Sequence, residues 1–317
     1  MSLKVVTVFG GSGFLGRHLI RRLAKTGAVI RVPVRNAEKA KFLKPMGDVG
    51  QIVPIAADIR DPAAVAHHVE GADAVVFLVG ILAPTQGRSF QAIHADAPGM
   101  IARAAASAGV GRLVQVSAMG ADANAAAEYL RTKAAGEAAV RAAMADAVIL
   151  RPSIVFGPED GFFNLFASLA RFAPVLPAFG GGGTRMQPVY VGDVADAIMA
   201  GLTNPATNGQ TYELGGPEVF TFQELIKLAL IHSGRPNKPI LPVPFPLAMA
   251  EAWILEKLPL KLLTRDQVTM LKSDNVCSGT LPGLAELGIS PTALAGILPT
   301  YLDRFRPGGR FAGIRTA

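Results

Sequence analysis

Seven residues near the start of the chain, Gly10-Gly11-Ser12-Gly13-Phe14-Leu15-Gly16, restrict its fold more than any other stretch. They follow a short apolar run, Leu3–Phe9, and open Leu15–Lys25, where apolar residues recur at helical spacing. A buried strand, a glycine turn and a helix, in that order, form the first unit of a parallel sheet that binds a dinucleotide. Gly10 permits the tight turn. Gly13 lets the backbone approach a pyrophosphate, and Gly16 lets helix and strand pack closely. Around Ser12, Phe14 and Leu15 the helix offers free N–H groups and its positive dipole end to the anion.

The alternation continues through Val29–Val34, Gln51–Ala56, Ala74–Val79, Leu113–Ser117 and Ala147–Arg151 as strands. Gly99–Ala108 and Ala134–Met144 read as helices. Near-continuous apolar strands belong to a sheet covered on both faces. The expected class is α/β: a doubly wound parallel Rossmann sheet with a smaller, mostly helical C-terminal subdomain. After Pro152 the rhythm changes. Gly180–Gly183 reads as a mobile loop, Asp193–Leu202 as a helix and Thr211–Leu214 as a strand. Thr221 and Glu224 have the spacing of a capping box at the head of a helix reaching Ile231. Pro236, Pro239, Pro242, Pro244 and Pro246 exclude a regular helix there. The expected division assigns 1–155 and about 184–216 to the nucleotide-binding unit. About 156–183 and 217–317 then form a substrate-like or docking subdomain, with a weakly ordered or partner-bound basic tail from Arg304 to Ala317.

Half of the 317 residues are apolar and 17% are charged, which excludes a disordered chain. A single cysteine, Cys277, excludes a disulfide framework and any multi-cysteine metal site. The five histidines lack ligand spacing, so no metal is expected. The net charge of +7 suits acidic partners, but no basic run interleaved with aromatics points to nucleic acid. No apolar stretch is long enough to span a bilayer. A strand beginning near Leu3 leaves no room for a leader if Met1 is the native start.

The end of the second strand discriminates between the two nicotinamide dinucleotides. An acidic residue there would bind a ribose 2′-hydroxyl, whereas arginine accommodates a 2′-phosphate. The strand reads Val32-Pro33-Val34-Arg35 and lacks the carboxylate, so NADP(H) is expected, with Arg35 on the phosphate and Arg17 as a second cation. Asp58 and Ile59 are expected at the adenine edge, and Val79 and Gly80 along the phosphate–ribose path. Tyr129 and Lys133 share one helix face at i,i+4 spacing. A lysine beside a phenol lowers its pKa. Such a pair, with Ser117 at the end of the fifth strand, suits proton exchange with a carbonyl or hydroxyl. Lys133 would also meet the nicotinamide ribose.

Together these residues resemble the short-chain dehydrogenase/reductase superfamily in its extended or atypical form. Arg151-Pro152-Ser153-Ile154-Val155-Phe156-Gly157-Pro158 is similar to the superfamily's segment facing nicotinamide and substrate, which implies cofactor roles for Pro152 and Ile154. Gln187-Pro188-Val189-Tyr190-Val191-Gly192-Asp193-Val194 is similar to a later superfamily segment. A closer resemblance rests on residues that a dinucleotide does not require. Leu43–Gln51, Phe163–Ser168, Arg171-Phe172, Tyr129–Glu137, Leu263–Val268 and Leu281–Ile289 resemble the accessory NADPH-binding subunits of respiratory complex I. That resemblance implies NADPH held as a structural ligand and neighbouring subunits of the hydrophilic arm near its membrane junction. It also implies a peripheral place on the cytoplasmic face of a bacterial inner membrane. Residues 240–263 combine prolines with Phe245, Leu247, Met249, Trp253, Ile254, Leu255, Leu258, Leu260 and Leu262. They read either as core or as a surface for lipid or protein. The alternative is an independent NADPH-dependent reductase or epimerase using Ser117, Tyr129 and Lys133. A sensor of the NADPH/NADP ratio is a third reading.

Overall fold

The computed structural model describes residues 3–85, 87–258 and 263–309. Two compact units share the chain. The first holds residues up to Pro152, then Gly192–Leu214 and Ser278–Ser290; the second holds Ser153–Val191, Gly215–Cys277 and the residues from Pro291 onward. The expected division differs at its edges: 153–155, 184–191 and 215–216 lie in the second unit, and Ser278–Ser290 returns to the first. Backbone pairing accounts for the return. Glu213 N–H donates to the Pro282 carbonyl at 2.9 Å, and the Glu213 carboxylate accepts from Ser278 N–H and Oγ at 2.6 and 2.8 Å.

In the first unit the order is β1 (Val5–Phe9), α1 (Phe14–Ala24), β2 (Val29–Val34), β3 (Ile52–Ala56), α2 (Pro62–Val69), β4 (Ala74–Phe77), α3 (Ala97–Ser107), β5 (Arg112–Val116), α4 (Glu128–Ala143) and β6 (Val148–Pro152). A seventh strand, Thr211–Leu214, completes a wholly parallel sheet. Numbering that last strand 7, the order across the sheet is 7-6-5-4-1-2-3. The strand order reverses between β1 and β4, the switch point at which such sheets bind nucleotides. Alternation along β1 divides the core. Phe9 packs with Val65, Val69, Ile101 and Val140 beneath α2, α3 and α4. On the opposite face, a Cβ on Gly11 would run into the side chains of Val32 and Ile20, beside Val8.

The second unit centres on phenylalanines: Phe156, Phe163, Phe166, Phe179 and Phe222 are buried together with aliphatic residues of its helices. The capping box forms, with Thr221 and Glu224 each bonding the other's backbone N–H at the head of Phe222–His232. Where a mobile loop was expected, Gly180–Gly182 makes a tight turn, and a Cβ on Gly180 would overlap the Phe245 ring. The proline-rich stretch contributes a short strand, Ile240–Val243, parallel to Leu176–Phe179 in a two-stranded sheet. There Pro242 sits where only one neighbour needs bonding. Leu260, Lys261 and Leu262, and the tail from residue 310, lie outside the described residues.

Candidate functional site

The C-terminal ends of β1 to β4 enclose a cleft of about 230 Å³. Its floor is the glycine turn. Gly10 has φ +89°, and its carbonyl accepts from Gly13 N–H at 3.0 Å. A Cβ on Gly16 would lie 2.5 Å from the Gly10 carbonyl oxygen, so only glycine lets α1 start this close to β1. The first turn of α1 has no side-chain cap and no acidic residue. Its N–H groups and dipole are thus available to an anion at Ser12 and Gly13, both of which line the cleft.

The β2 end supplies Pro33, Val34 and Arg35, and the β3 end supplies Ala57 and Ile59. Residues Leu78–Ile81 after β4 form the opposite wall, with Arg88 and Ile93 beyond. Two residues expected here are placed otherwise. The Arg17 guanidinium lies over the Phe42 ring, 5.1 Å from its centroid. Asp58 does not line the cleft. Its carboxylate is forked by Arg60, with Nε–Oδ1 3.0 Å and Nη2–Oδ2 2.5 Å, and that pairing lowers its pKa to about 2. Phe14 and Leu15 stand half-buried in the first turn of α1.

Helix α4 brings its chemistry to the β4 wall through a close approach. A Cβ on Gly136 would overlap the His94 carbonyl oxygen. A buried fork from Arg151 on β6 to Glu137, at 2.9 and 2.6 Å, fixes the helix to the sheet. Lys133, only 4% exposed, donates to the Val116 carbonyl at 3.4 Å, and its Nζ would lie 3.5 Å from a Cβ on Gly80. Burial pulls its pKa down to about 8, against the opposing charge of Glu137. Tyr129 sits one turn earlier on the same helix, its ring centroid 5.8 Å from Lys133 Nζ. Burial pushes its hydroxyl up to about 12. This corrects the expectation that the lysine lowers it: at this separation desolvation outweighs the charge. Tyr129 is therefore a neutral hydroxyl at physiological pH, fit to donate a proton.

Ser117 follows β5 and is 4% exposed; its Oγ has no partner among the described residues. A buried hydroxyl without a partner is costly unless a ligand supplies one. This orphan and the glycine cradle fit a nicotinamide dinucleotide; Ser12, Gly13, Arg35, Val79 and Gly80, which line the cleft, would hold it, and Lys133 would meet its ribose. Pro152 ends β6, and its carbonyl accepts from Met119 N–H at 2.9 Å. Ile154 belongs to the second unit, where its carbonyl accepts from Val189 N–H at 3.0 Å.

Sequence reasoning missed two residues. Arg88 carries no motif, and its place becomes visible only when the loop after β4 folds over the cleft. His94 lies in a π-helical turn, Gln91–Asp96, an arrangement enriched at functional sites. The imidazole is buried, stacked on Phe90 at 5.4 Å and edge-on to Tyr129 at 5.1 Å. Its Nε2 accepts from Ile81 N–H at 3.0 Å, and Nδ1 lies 3.4 Å from Thr132 Oγ1. Thr132 Oγ1 donates to helix carbonyls, which leaves it to accept from Nδ1–H. Burial, with Lys133 nearby, lowers the His94 pKa to about 3, so the ring is neutral and braces the β4 wall.

Residues 10–205 match an NAD(P)H-binding family. Among curated proteins, the chain is 38% identical to the mitochondrial NADH dehydrogenase (ubiquinone) 1 alpha subcomplex subunit 9 of Arabidopsis thaliana, over 96% of this chain and 79% of that protein. It is 30% identical to a ceramide reductase of Caulobacter vibrioides, over 78% of each chain. Among solved structures, the NAD-bound dTDP-glucose 4,6-dehydratase DesIV of Streptomyces venezuelae superposes with a TM-score of 0.71 at 22% identity, covering 98% of both chains. That likeness shows the fold.

Proposed function

The chain belongs to the NAD(P)H-binding family and, within it, to the family of alpha subcomplex subunit 9 of NADH dehydrogenase (ubiquinone), and from that premise we propose that it is an NADPH-binding accessory subunit of a proton-pumping NADH:quinone oxidoreductase. One observation carries the reading. The subunit 9 match extends over 96% of the chain, well beyond the nucleotide-binding residues, whereas the reductase match stops at 78%. The nucleotide is NADPH, because β2 ends in Arg35 rather than a carboxylate. Its role is structural. A ligand bound only by the folded state stabilises it by about 2.7 kcal/mol at a hundredfold excess over its dissociation constant. Other subunits of the hydrophilic arm are the partners. The chain lies peripherally on the cytoplasmic face of a bacterial inner membrane, the counterpart of the matrix side. Among the described residues no helix is long and apolar enough to cross a membrane.

A surface in the second unit supports attachment. Helix Phe245–Leu255 buries its small residues, Ala248 and Ala252, and exposes Leu247 (60%), Trp253 (51%) and Ile254 (58%). Phe245, Met249 and Leu255 pack against the core as well, so the helix is apolar on its outer face too, where an ordinary surface helix is polar. Lys257 lies over the Trp253 ring at 3.4 Å, a cation beside an apolar face as headgroups favour.

The Ser117–Tyr129–Lys133 set favours a second reading, an independent NADPH-dependent reductase or epimerase. A bound nicotinamide would supply hydride. Tyr129 would give its proton to the carbonyl oxygen, and Lys133 would orient the ribose. Native gel electrophoresis of mildly solubilised source membranes carrying a tagged chain separates the readings. The tag is expected in one large band that also stains for NADH dehydrogenase activity. Recovery only as a small soluble species would overturn the subunit reading in favour of the reductase.

A further inference from the structure

Two guanidinium groups line the cleft with no carboxylate paired to either. Arg35 stands at the end of β2, and Arg88 comes from the loop that follows β4. Among the described residues neither side chain has a hydrogen-bond or ion-pair partner. Partial burial and the charge of Arg35 both disfavour the charged form of Arg88 and hold its pKa below the ordinary value. The carboxylate that acts on Arg88, Asp58, is already held in its fork with Arg60.

The Arg88 loop is pinned on both sides of the residue that bears the charge. Arg60 Nη1 donates to the carbonyl of Gly87, the residue before it. Thr85 and Arg88 exchange two backbone hydrogen bonds, at 3.1 and 2.9 Å. Asp58 thus fixes Arg60, Arg60 fixes the loop, and the loop presents Arg88 at the same cleft as Arg35. Two like charges placed together without a counter-ion are a cost unless an anion enters between them. A phosphate monoester suits them: it carries close to two negative charges and three acceptor oxygens, and each guanidinium can fork onto it. A ribose hydroxyl would neutralise neither.

On the reading that the cleft takes NADPH, we propose that Arg35 and Arg88 form a two-sided clamp on the 2′-phosphate, with Asp58 and Arg60 as its positioning residues. Arg88 is then a specificity-determining residue contributed by the β4 side of the cleft. Asp58 acts at a distance from the nucleotide, through Arg60 and the loop.

Calorimetric titration of the full chain with NADPH, NADH, adenosine 2′,5′-bisphosphate and 5′-AMP tests this. Wild type is expected to prefer NADPH over NADH, and the bisphosphate over 5′-AMP. Arg88→Gln should weaken NADPH and the bisphosphate about tenfold to a hundredfold, the worth of a charge-assisted hydrogen bond or two, and leave NADH and 5′-AMP unchanged. Arg88→Lys should restore part of the preference, and Asp58→Asn should reduce it in the same direction by less. An Arg88→Gln chain that keeps the wild-type preference overturns the clamp but leaves the NADPH reading standing. Equal loss of NADPH and NADH overturns it too, since that marks a structural role. A wild type without preference overturns both.

Discussion

His94 shows how one residue ties the wall of the cleft to the pH of the solution. Its folded pKa is near 3, and its unfolded value is near 6.5. Between these values the unfolded chain binds a proton that the folded chain refuses. This contribution to stability is therefore complete above pH 6.5 and is lost as pH falls toward 3. The slope in that window approaches about 1.4 kcal/mol per pH unit, the value for one proton. His94→Gln keeps an acceptor for Ile81 N–H but does not titrate. Urea midpoints measured from pH 7 to 4 should fall more steeply for wild type than for the variant. Parallel curves would deny His94 this role. Nothing in Phe90-Gln91-Ala92-Ile93-His94 announces it. The imidazole matters because the π-helical turn places it under Gly80 and Ile81, and that geometry arises only once α3 and α4 have packed. Arg88 was hidden for a similar reason. Arg35 was visible because strand ends can be read from a run of apolar residues.

At the scale of elements, the small residues of α4 do the positioning. Gly136 lets the helix press on the His94 turn, and the same helix carries Tyr129 and Lys133 to the β4 wall. Gly136→Ala improves intrinsic helix propensity, yet its methyl meets a backbone carbonyl that cannot yield like a side chain. The variant should lose about 1–3 kcal/mol in urea unfolding and bind nucleotide more weakly, because the lysine moves with the helix. Unchanged stability with unchanged binding would show that α4 has slack. The strands and the glycine turn were legible because a sheet buried on both faces needs unbroken apolar runs. Helix α4 was legible in both halves, Ala134 onward through its helical pattern and the first turns through the i,i+4 pair Tyr129 and Lys133. For the helix Phe245–Leu255 the sequence left open which face is inward. It is apolar all round, so periodicity could not decide.

For the whole molecule, the exposed apolar face of the helix Phe245–Leu255 is where attachment can be tested without disturbing the nucleotide. Trp253→Ser with Ile254→Ser replaces exposed side chains, so stability should change by no more than about 0.5 kcal/mol per site. NADPH binding should persist while the tagged chain leaves the large native band. A double variant that stays in that band undiminished would remove this surface from the interface. The division into two units carries a further consequence, in the order in which the chain is made. The strands of the sheet come from two separate stretches, and β6 receives its outer neighbour only after the segment from Ser153 to Val191 has been synthesised. Until Thr211–Leu214 emerges from the ribosome, β6 is an open edge with an unpaired row of N–H and C=O groups, a template for pairing with other nascent chains. The nucleotide cleft, by contrast, needs nothing beyond the first six strands. A dinucleotide captured this early would tether the N-terminal strands to one another while that edge waits for its neighbour.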